Sequence, residues 1–262
     1  MWFTITRRRC LLCKLAHICY KGSMNNTTLE ALVANYKPSA DTIKLVQSTP
    51  IVLLVGVSGA GKDTIKHQML QSGKYHHVVS HTTRAPRENG GIMEQDGVEY
   101  HFISKEQACN MLKNGEFVEA KEYGGNLYGT SAAELQWAKD AEKIALTDIE
   151  VQGVAEYKAI SENVIAEFIL PPDYKEWQRR LHSRYTTGKA DESDIERRMH
   201  TAILELKEAL SKPYYYFIVN DDLNEAVDAA NEIAHSNNEF NRIDKSFHAW
   251  AEKLLKDLQA SR

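Results

Sequence analysis

The sequence contains no apolar run long enough to cross a bilayer, and it has only four cysteines among its 262 residues. Because a membrane-spanning helix needs about 20 consecutive apolar residues, we expect no membrane partner. Cys10, Cys13 and Cys19 lie too close together for the disulfide framework of a secreted protein. With His17 they resemble a zinc cluster, but the second half of the spacing is more compressed than in common zinc sites. Reduced thiols in a cytoplasmic protein are the simpler interpretation.

An excess of positive charge is also missing, since the formal net charge is −4. Proteins that coat nucleic acid usually carry a basic face, so the composition argues against a nucleic-acid partner. Internal repeats and low-complexity tracts are absent from the sequence too. The length and the apolar fraction of 43% allow a substantial core in one domain with appendages. We expect a cytoplasmic protein that is a monomer or a homodimer.

Acidic residues are missing from the first 29 positions, which contain five Arg or Lys residues. Three interpretations stay open for residues 1–23. They precede a natural start at Met24 or are not native, they form a functional basic arm, or they are a transit peptide. In residues 25–48, Leu29, Leu32 and Val33 share one helix face. We expect residues 1–48 to be an N-terminal extension whose second half packs on the outside of the core.

A glycine-rich loop follows the first strongly apolar segment. Residues 51–55 are five consecutive apolar residues between Pro50 and Gly56, which is typical of a buried parallel strand. Such a loop at a helix N-terminus offers backbone N–H groups to phosphate, and Lys62 neutralises the outer phosphates. The predicted nucleotide-binding residues are Gly56, Ser58, Gly59, Ala60, Gly61, Lys62, Asp63 and Thr64.

Asp63 stands where phosphate loops usually carry a serine or threonine that binds Mg²⁺. Thr64 cannot simply replace that hydroxyl, because one step along a helix turns a side chain by about 100°. We therefore expect the Asp63 carboxylate to contact Mg²⁺ or its waters.

A second phosphate-binding site is predicted about thirty residues later. The segment Ser80-His-Thr-Thr-Arg84-Ala-Pro-Arg87 places two arginines behind a run of hydroxyls. Forked guanidinium hydrogen bonds suit a phosphate group. Two phosphate-binding sites imply transfer of a phosphoryl group between two bound molecules, since hydrolysis needs only one such site.

Strand-like and helix-like segments alternate along the chain. Strands are predicted to begin at Val78 and to cover residues 98–103, 117–123, 126–128, 144–148, 165–170 and 214–220, with a loop at 89–97. Helices are predicted at 64–71, 104–113, 131–140, 174–185, 194–210 and 223–235, with one more in the C-terminal tail, 239–262. The alternation predicts an α/β fold with a mostly parallel sheet sandwiched by helices, and residues 79–131 look like an inserted β-rich lobe.

Six motifs in order resemble the guanylate kinase family, from about residue 50 to 235. They are Ser80-x-Thr-Thr-Arg84-x-Pro-Arg87, Asp96-Gly-Val-Glu-Tyr100-His-Phe, Glu116-Phe-Val-Glu119, Gly125-Asn-Leu-Tyr128-Gly-Thr130, Asp148-Ile-Glu150-Val-Gln-Gly153 and Val219-Asn220-Asp-Asp-Leu. The resemblance implies a nucleoside monophosphate kinase of the phosphate-loop type. It implies that ATP, with Mg²⁺, phosphorylates GMP and dGMP within a domain at residues 49–238.

The resemblance assigns the acceptor site to residues of the lobe. Glu119 would accept hydrogen bonds from guanine N1–H and N2–H₂, a donor pair that adenine lacks. The implied partners of the O6 edge are Ser80 and Thr130, and those of the GMP phosphate are Arg84, Arg87, Tyr100 and Tyr128. Asp148 would lie near GMP and the metal. Glu150 would accept near guanine, although the family usually has aspartate there.

Three arginines align with the family's lid arginines, Arg180, Arg184 and Arg198. They flank the polar insert 186–193, in a lid predicted at about 183–198. Asn220 matches a position that meets adenine. The GMP phosphate oxygen is already an anion near neutral pH, so no general base is required. His67, His76, His77 and His81 are therefore interpreted as structural or surface residues.

Two rival functions stay open. The Gly-Lys-Asp sequence at residues 61–63 resembles the ribose 1,5-bisphosphate phosphokinases, which would not be expected to keep Glu119 with both arginines and both tyrosines. A non-catalytic guanylate-kinase-like binding module would typically lose Gly56, Gly61 and Lys62. The loop from Arg87 to Asp96 looks longer than expected for the family.

Overall fold

The computed structural model describes residues 28–89, 91–183, 192–236 and 245–261. The helices are α1 Leu29–Ala34, α2 Ala40–Ser48, α3 Lys62–Gln71, α4 Lys105–Asn114, α5 Ala132–Asp140, α6 Val151–Ile160, α7 Tyr174–Ser183, α8 Glu192–Leu210, α9 Leu223–Ser236 and α10 Lys245–Ala260. The strands are β1 Ile51–Gly56, β2 Tyr75–His77, β3 His81–Thr82, β4 Glu88–Asn89, β5 Ile92–Met93, β6 His101–Phe102, β7 Phe117–Tyr123, β8 Asn126–Ser131, β9 Ile144–Asp148, β10 Ile165–Leu170 and β11 Tyr215–Val219. The clustered cysteines, Arg184 and most of the polar insert lie outside the described residues.

A five-stranded parallel sheet forms the centre of the molecule, in the order β11-β10-β1-β9-β2. Leu53 in β1 pairs with Ala166 on one side and Thr147 on the other. All six residues of β1 are buried, as expected of a parallel strand covered on both faces by helices. The predicted α/β fold with a mostly parallel sheet is confirmed.

A second, four-stranded sheet is formed by the β-rich middle of the chain, in the order β6-β3-β8-β7. It has a small core of its own, which includes Leu112, Phe117 and Leu127. Helix α4 packs there and begins with a capping box between Ser104 and Gln107. The strands predicted at 117–123 and 126–128 are β7 and β8, which form an antiparallel hairpin that turns at Gly124-Gly125.

Several element boundaries differ from the prediction. The strand expected from Val78 lies earlier, at Tyr75–His77, because Val79 N–H donates to the Glu134 carboxylate and the chain leaves the sheet. The strand expected at 98–103 shrinks to His101–Phe102, because residues 95–100 close a turn in which Gly97 has a φ of 76°. Short strands β4 and β5 occupy part of the predicted loop at 89–97.

Both ends of the described chain take part in packing. The extension was expected on the outside of the core, but Val46 of α2 is 1% exposed within the central core. The expected C-terminal helix is α10, which buries Ala251, Leu254 and Leu258 in the same core. In the part of the chain that the structure describes, no helix combines the length and the apolar character that crossing a membrane demands.

Candidate active site

The predicted phosphate loop joins β1 to α3, and two of its glycines are required by close contacts. Gly56 has a φ of 137°, and a Cβ there would overlap the backbone oxygen of Ile169 in β10. Gly61, with a φ of 97°, is the N-cap of α3, and a Cβ there would overlap the side-chain nitrogen of Asn220. Helix α3 therefore begins at Lys62, two residues earlier than predicted, and its N-terminus faces the loop.

Side chains from distant elements hold this loop in place. Trp177 of α7 is fully buried and donates from Nε1 to the Ser58 carbonyl oxygen at 2.8 Å. Asn220 donates from Nδ2 to the Ala60 carbonyl oxygen at 2.7 Å. Arg198 donates from Nη1 to Ser58 Oγ at 2.8 Å. The structure thus places Asn220 against the phosphate loop, and it adds Trp177, which the sequence motifs did not indicate.

A cavity of about 430 Å³ opens in front of the loop. Its lining includes Gly56, Ser58, Gly59, Gly61, Lys62, Asp63, Asp148 and Glu205. Lys62 Nζ lies inside the loop and donates to the carbonyl oxygens of Gly56 and, at 3.4 Å, Val57. Thr64 is exposed and is not among the described lining residues, whereas Asp63 is, as the helix geometry predicts.

Carboxylates with opposite pKa shifts face this first cavity. Asp148 ends β9 and forms an ion pair with Lys66 of α3. Burial opposes its ionisation, but the nearby Lys66 ammonium outweighs burial and holds the pKa of Asp148 below its usual value. Burial raises the pKa of Glu205 to about 7, against the attraction of Lys62. Neither Lys66 nor Glu205 was predicted from the sequence.

A second cavity of about 630 Å³ lies beside the first, between the two sheets. The predicted acceptor residues that line it are Ser80, Arg87, Tyr100, Glu119, Tyr128, Asp148 and Glu150. The two cavities share a wall of Tyr100, Asp148, Ile149, Glu150 and Arg197. Two sites predicted from separate motifs are therefore adjacent in space.

Glu119 is the most deeply buried acid of the second cavity, with 8% of its surface exposed. Its Oε1 accepts from the backbone N–H of Thr130 at 3.0 Å. Burial raises the pKa of Glu119 to about 7, although the hydrogen bond with Thr130 lowers it. Thr130 is itself buried, and it is the residue of β8 that pairs with Glu119 of β7.

Arg84 does not line the second cavity and is held by a carboxylate. Its guanidinium makes two parallel hydrogen bonds with Glu94, at 2.8 and 3.0 Å, and a third with the Ala85 carbonyl oxygen. Glu94 also accepts from the backbone N–H of Arg87 at 2.9 Å. Glu94 therefore fixes the guanidinium of Arg84 and the backbone of Arg87, although it lies in the long loop that the motifs left unassigned.

The lid arginines are also held by carboxylates. Arg180 donates to Glu176 at 2.7 Å and to the Asn220 carbonyl oxygen at 3.1 Å. Asp194 binds Arg198 through one oxygen and Arg197 through the other. Arg197 was not predicted, yet it lines both cavities.

The histidines interpreted as structural do not line either cavity in the described structure. His76 and His101 both contact the buried carboxylate of Glu134, at 3.3 and 2.7 Å. Burial lowers the pKa of His81 to about 4, helped by His101. These rings join the central sheet to the second sheet.

Comparisons with known proteins agree with this geometry. Residues 47–237 match the family model described as guanylate kinase. The chain is 37% identical to guanylate kinase 1 of Arabidopsis thaliana, with 66% of this chain and 44% of the plant protein covered. It is 34% identical to the guanylate kinase of Latilactobacillus sakei, with 71% and 88% covered. A crystal structure of guanylate kinase from Anaplasma phagocytophilum matches with a TM-score of 0.53 and 27% identity, covering 73% of this chain and 87% of that one.

The matched part of the chain spans less than half the length of the plant relatives but most of the length of the bacterial ones. The family match covers the phosphate loop, both cavities and the helices that carry the arginines. The chain belongs to the guanylate kinase family.

Proposed function

We propose that this protein transfers the γ-phosphoryl group of ATP to GMP, and also to dGMP, giving ADP and the nucleoside diphosphate. The observation that carries the proposal is the shared wall between the two cavities. One cavity is built on the phosphate loop and the other contains Glu119. The phosphoryl group therefore passes from donor to acceptor at this shared wall, beside Tyr100, Asp148 and Arg197.

Guanine recognition is supported by the burial of Glu119. When ionised, its carboxylate accepts from the two adjacent donors of guanine. AMP offers no such pair, so binding it would leave the buried charge without the two donors that guanine supplies. Ser80 lines the same cavity and suits the O6 edge, while Tyr123 donates to Glu150 at 3.3 Å near the mouth.

The acceptor phosphate is proposed to bind between Arg87, Tyr100 and Tyr128. All three line the second cavity, and the rings of Tyr100 and Tyr128 meet edge to face at 5.9 Å. Arg84 packs its guanidinium against the Tyr100 ring at 5.3 Å, so it supports this wall from behind. Direct contact of Arg84 with the phosphate would require its guanidinium to give up part of its contact with Glu94.

Mg²⁺ fits the donor cavity, where Asp63 and Asp148 supply two carboxylates. No three His, Cys, Asp or Glu side chains of the described ranges are grouped to hold a metal by themselves. That agrees with Mg²⁺, which usually takes one or two carboxylates and completes its shell with phosphate oxygens and water. The ion supplies positive charge that offsets the charge of the outer phosphates.

The reaction itself requires alignment and charge compensation. An oxygen of the GMP phosphate forms a bond to the γ-phosphorus while the bond from that phosphorus to the bridging oxygen of ADP breaks. Lys62, Arg197 and Arg198 line the donor cavity, and Arg180 lies beside the phosphate loop near Gly61. The role of Arg184 is proposed by resemblance only, since it lies outside the described residues.

The rival functions are less well supported. A ribose bisphosphate phosphokinase has no use for a buried carboxylate that reads guanine, and Glu119 lines the acceptor cavity here. A binding module has no need of the phosphate loop, which this chain retains with Lys62 at its centre. The family match and the named relatives favour the kinase.

A coupled assay of ADP formation tests the proposal. ATP and Mg²⁺ are offered with GMP, dGMP, AMP, UMP or ribose 1,5-bisphosphate in separate reactions. We expect turnover with GMP and dGMP alone. Turnover with only the ribose compound would support the rival kinase, and no turnover with any acceptor, alongside measurable GMP binding, would support the binding module.

Domain limits, location and assembly stay predictions. We propose a catalytic unit at residues 49–238, with a GMP-binding lobe at about 79–131 and a lid at about 183–198. The expected location is the cytoplasm, and the expected assembly is a monomer or homodimer.

A further inference from the structure

We propose that residues 28–48, named the strap, hold the guanine-reading end of β7 in position. The family model begins at residue 47, so the strap lies almost entirely outside the matched region. The proposal rests on the proposed function, because it gives the strap a role in recognising GMP. Its positioning residues are Tyr36 and Thr42, which act through the backbone of β7.

The first observation is a pair of hydrogen bonds between the Tyr36 side chain and the backbone of an edge strand. Among the described strands, β7 pairs only with β8, so its other side is open. There the Tyr36 hydroxyl donates to the Phe117 carbonyl oxygen and accepts from the Phe117 N–H at 2.8 Å. The two rings also meet edge to face at 6.3 Å. One phenol thus takes the place of the bond pair that a further strand would make.

The second observation is the contact between the strap and the turn that enters β7. The Gly115 carbonyl oxygen accepts from Ser39 N–H at 2.9 Å and from Thr42 Oγ1 at 2.8 Å. Gly115 has a φ of 69°, and a Cβ there would lie 2.6 Å from the Ser39 nitrogen. Thr42 is only 3% exposed, so water competes little for its hydrogen bond.

The third observation is a register shift in the strand pairing between Phe117 and Glu119. Such a β-bulge bends a strand and re-aims the side chains beside it, frequently at binding sites. Tyr36 fixes the residue on one side of the bulge, and Glu119 lies on the other. The direction of the Glu119 carboxylate therefore depends on the Tyr36 hydroxyl.

The far end of the strap is tied to the central layer. Val46 is buried in the central core, and Gln47 donates from Nε2 to the Ile160 carbonyl oxygen at 3.2 Å. Ser48 Oγ accepts from Lys139 at 2.8 Å. The near end packs Leu32 on the small core of the second sheet. The strap thus links the layer of the phosphate loop to the layer that reads guanine.

The test is Tyr36→Phe, which removes the hydroxyl and keeps the ring. Losing a hydrogen-bonded hydroxyl should raise KM for GMP about three- to tenfold. KM for ATP should stay unchanged. The preference for GMP over IMP should fall, because IMP lacks the amino group that Glu119 accepts from. The matched control is Tyr75→Phe, which removes a buried phenol bonded to Asn231 at 2.7 Å in the central layer.

If Tyr36→Phe lowers only the melting temperature, as Tyr75→Phe should, the proposal is overturned. Wild-type turnover of GMP is measured in the same series, so failure of the proposed function is seen separately. Should Tyr36→Phe not fold, Thr42→Val and Thr42→Ser decide the matter. We expect Thr42→Val to raise KM for GMP and Thr42→Ser to restore it, and equal KM values for the two variants would contradict the strap's role.

Discussion

Glu119 links guanine recognition to pH, because burial raises its pKa to about 7. Only the ionised carboxylate accepts from both guanine donors, so protonation removes the partner that GMP needs. We predict that KM for GMP rises as the pH falls through about 7, approaching tenfold for each further pH unit. Steady-state kinetics between pH 5.5 and 8.5 measure this, with KM for ATP as an internal reference.

Glu119→Gln is the matched control, since its amide does not titrate. GMP has a phosphate group that titrates near pH 6, and the control isolates that contribution. We expect weak GMP binding by Glu119→Gln, with a pH dependence that reflects the phosphate alone. The same pH profile in both proteins would show that Glu119 is not the titrating group.

Four arginines at or beside the two cavities are each matched with a carboxylate that the motifs did not reveal. Glu94 holds Arg84, Glu176 holds Arg180, and Asp194 holds both Arg197 and Arg198. The hydrogen bonds from Arg179 and Arg180 lower the pKa of Glu176 to about 2. The sequence motifs indicated Arg84, Arg180 and Arg198 as site residues but not the carboxylates that orient them, because a carboxylate on a helix or loop looks like a solvated charge until its partner is known.

At the scale of elements, α7 supports the phosphate loop through Trp177. We predict that Trp177→Phe, which keeps an aromatic ring but loses the bond to the Ser58 carbonyl oxygen, raises KM for ATP about fivefold. KM for GMP should change little, because the contact lies on the donor side. The control is Trp137→Phe, a change at a side chain that is 52% exposed. An equal effect on both substrates would argue against a local role for Trp177.

Strand β10 carries a buried acid, Glu167, whose carboxylate oxygens have no hydrogen-bond partner among the described residues. Burial raises the pKa of Glu167 well above its usual value. The folded state therefore keeps its proton to higher pH than the unfolded state does. Below the pKa that Glu167 has in the unfolded chain, the acid is protonated in both states and its burial does not reduce the free energy of unfolding. As the pH rises towards the folded pKa, the unfolded chain ionises first, and the folded state loses stability relative to it.

We predict that Glu167→Gln reduces this loss, so the variant gains stability relative to wild type as the pH rises from 5 to 9. Between the two pKa values the difference grows by about 1.4 kcal/mol per pH unit. Urea unfolding at several pH values measures it, with the exposed Glu106→Gln as control. A constant difference across this range would mean that Glu167 is ionised in the folded protein.

At the scale of the whole molecule, α10 completes the central core and is more than an appendage. Leu258 is fully buried there. We predict that Leu258→Ala lowers the free energy of unfolding by about 2–5 kcal/mol and leaves kcat at 25 °C near wild type. Thermal unfolding measures this, with Leu204→Ala, at a side chain 52% exposed, as control. Equal melting temperatures would show that α10 does not support the core.

The fold was largely predictable because its strands are buried and its motifs are local. The segment 51–64 specifies a strand, a loop and a helix start within fourteen neighbouring positions, and the structure has the strand at Ile51–Gly56 and the helix from Lys62. The contacts that orient the site join distant positions instead: Trp177 and Ser58 lie 119 residues apart, and Tyr36 and Phe117 lie 81 apart. Hydrophobic periodicity contains no information about such pairs, so the strap's contacts had to come from the structure.

The most direct test of two adjacent substrate sites is calorimetry with adenosine and guanosine joined by five phosphates. If the cavities hold ATP and GMP end to end, one molecule of this compound should bind per chain. It should bind at least about a hundredfold more tightly than GMP, because once one nucleoside end is bound, binding of the other end is intramolecular. Glu119→Gln should remove most of the advantage over the compound with two adenosines. Binding no tighter than that of GMP or ATP alone would contradict the account.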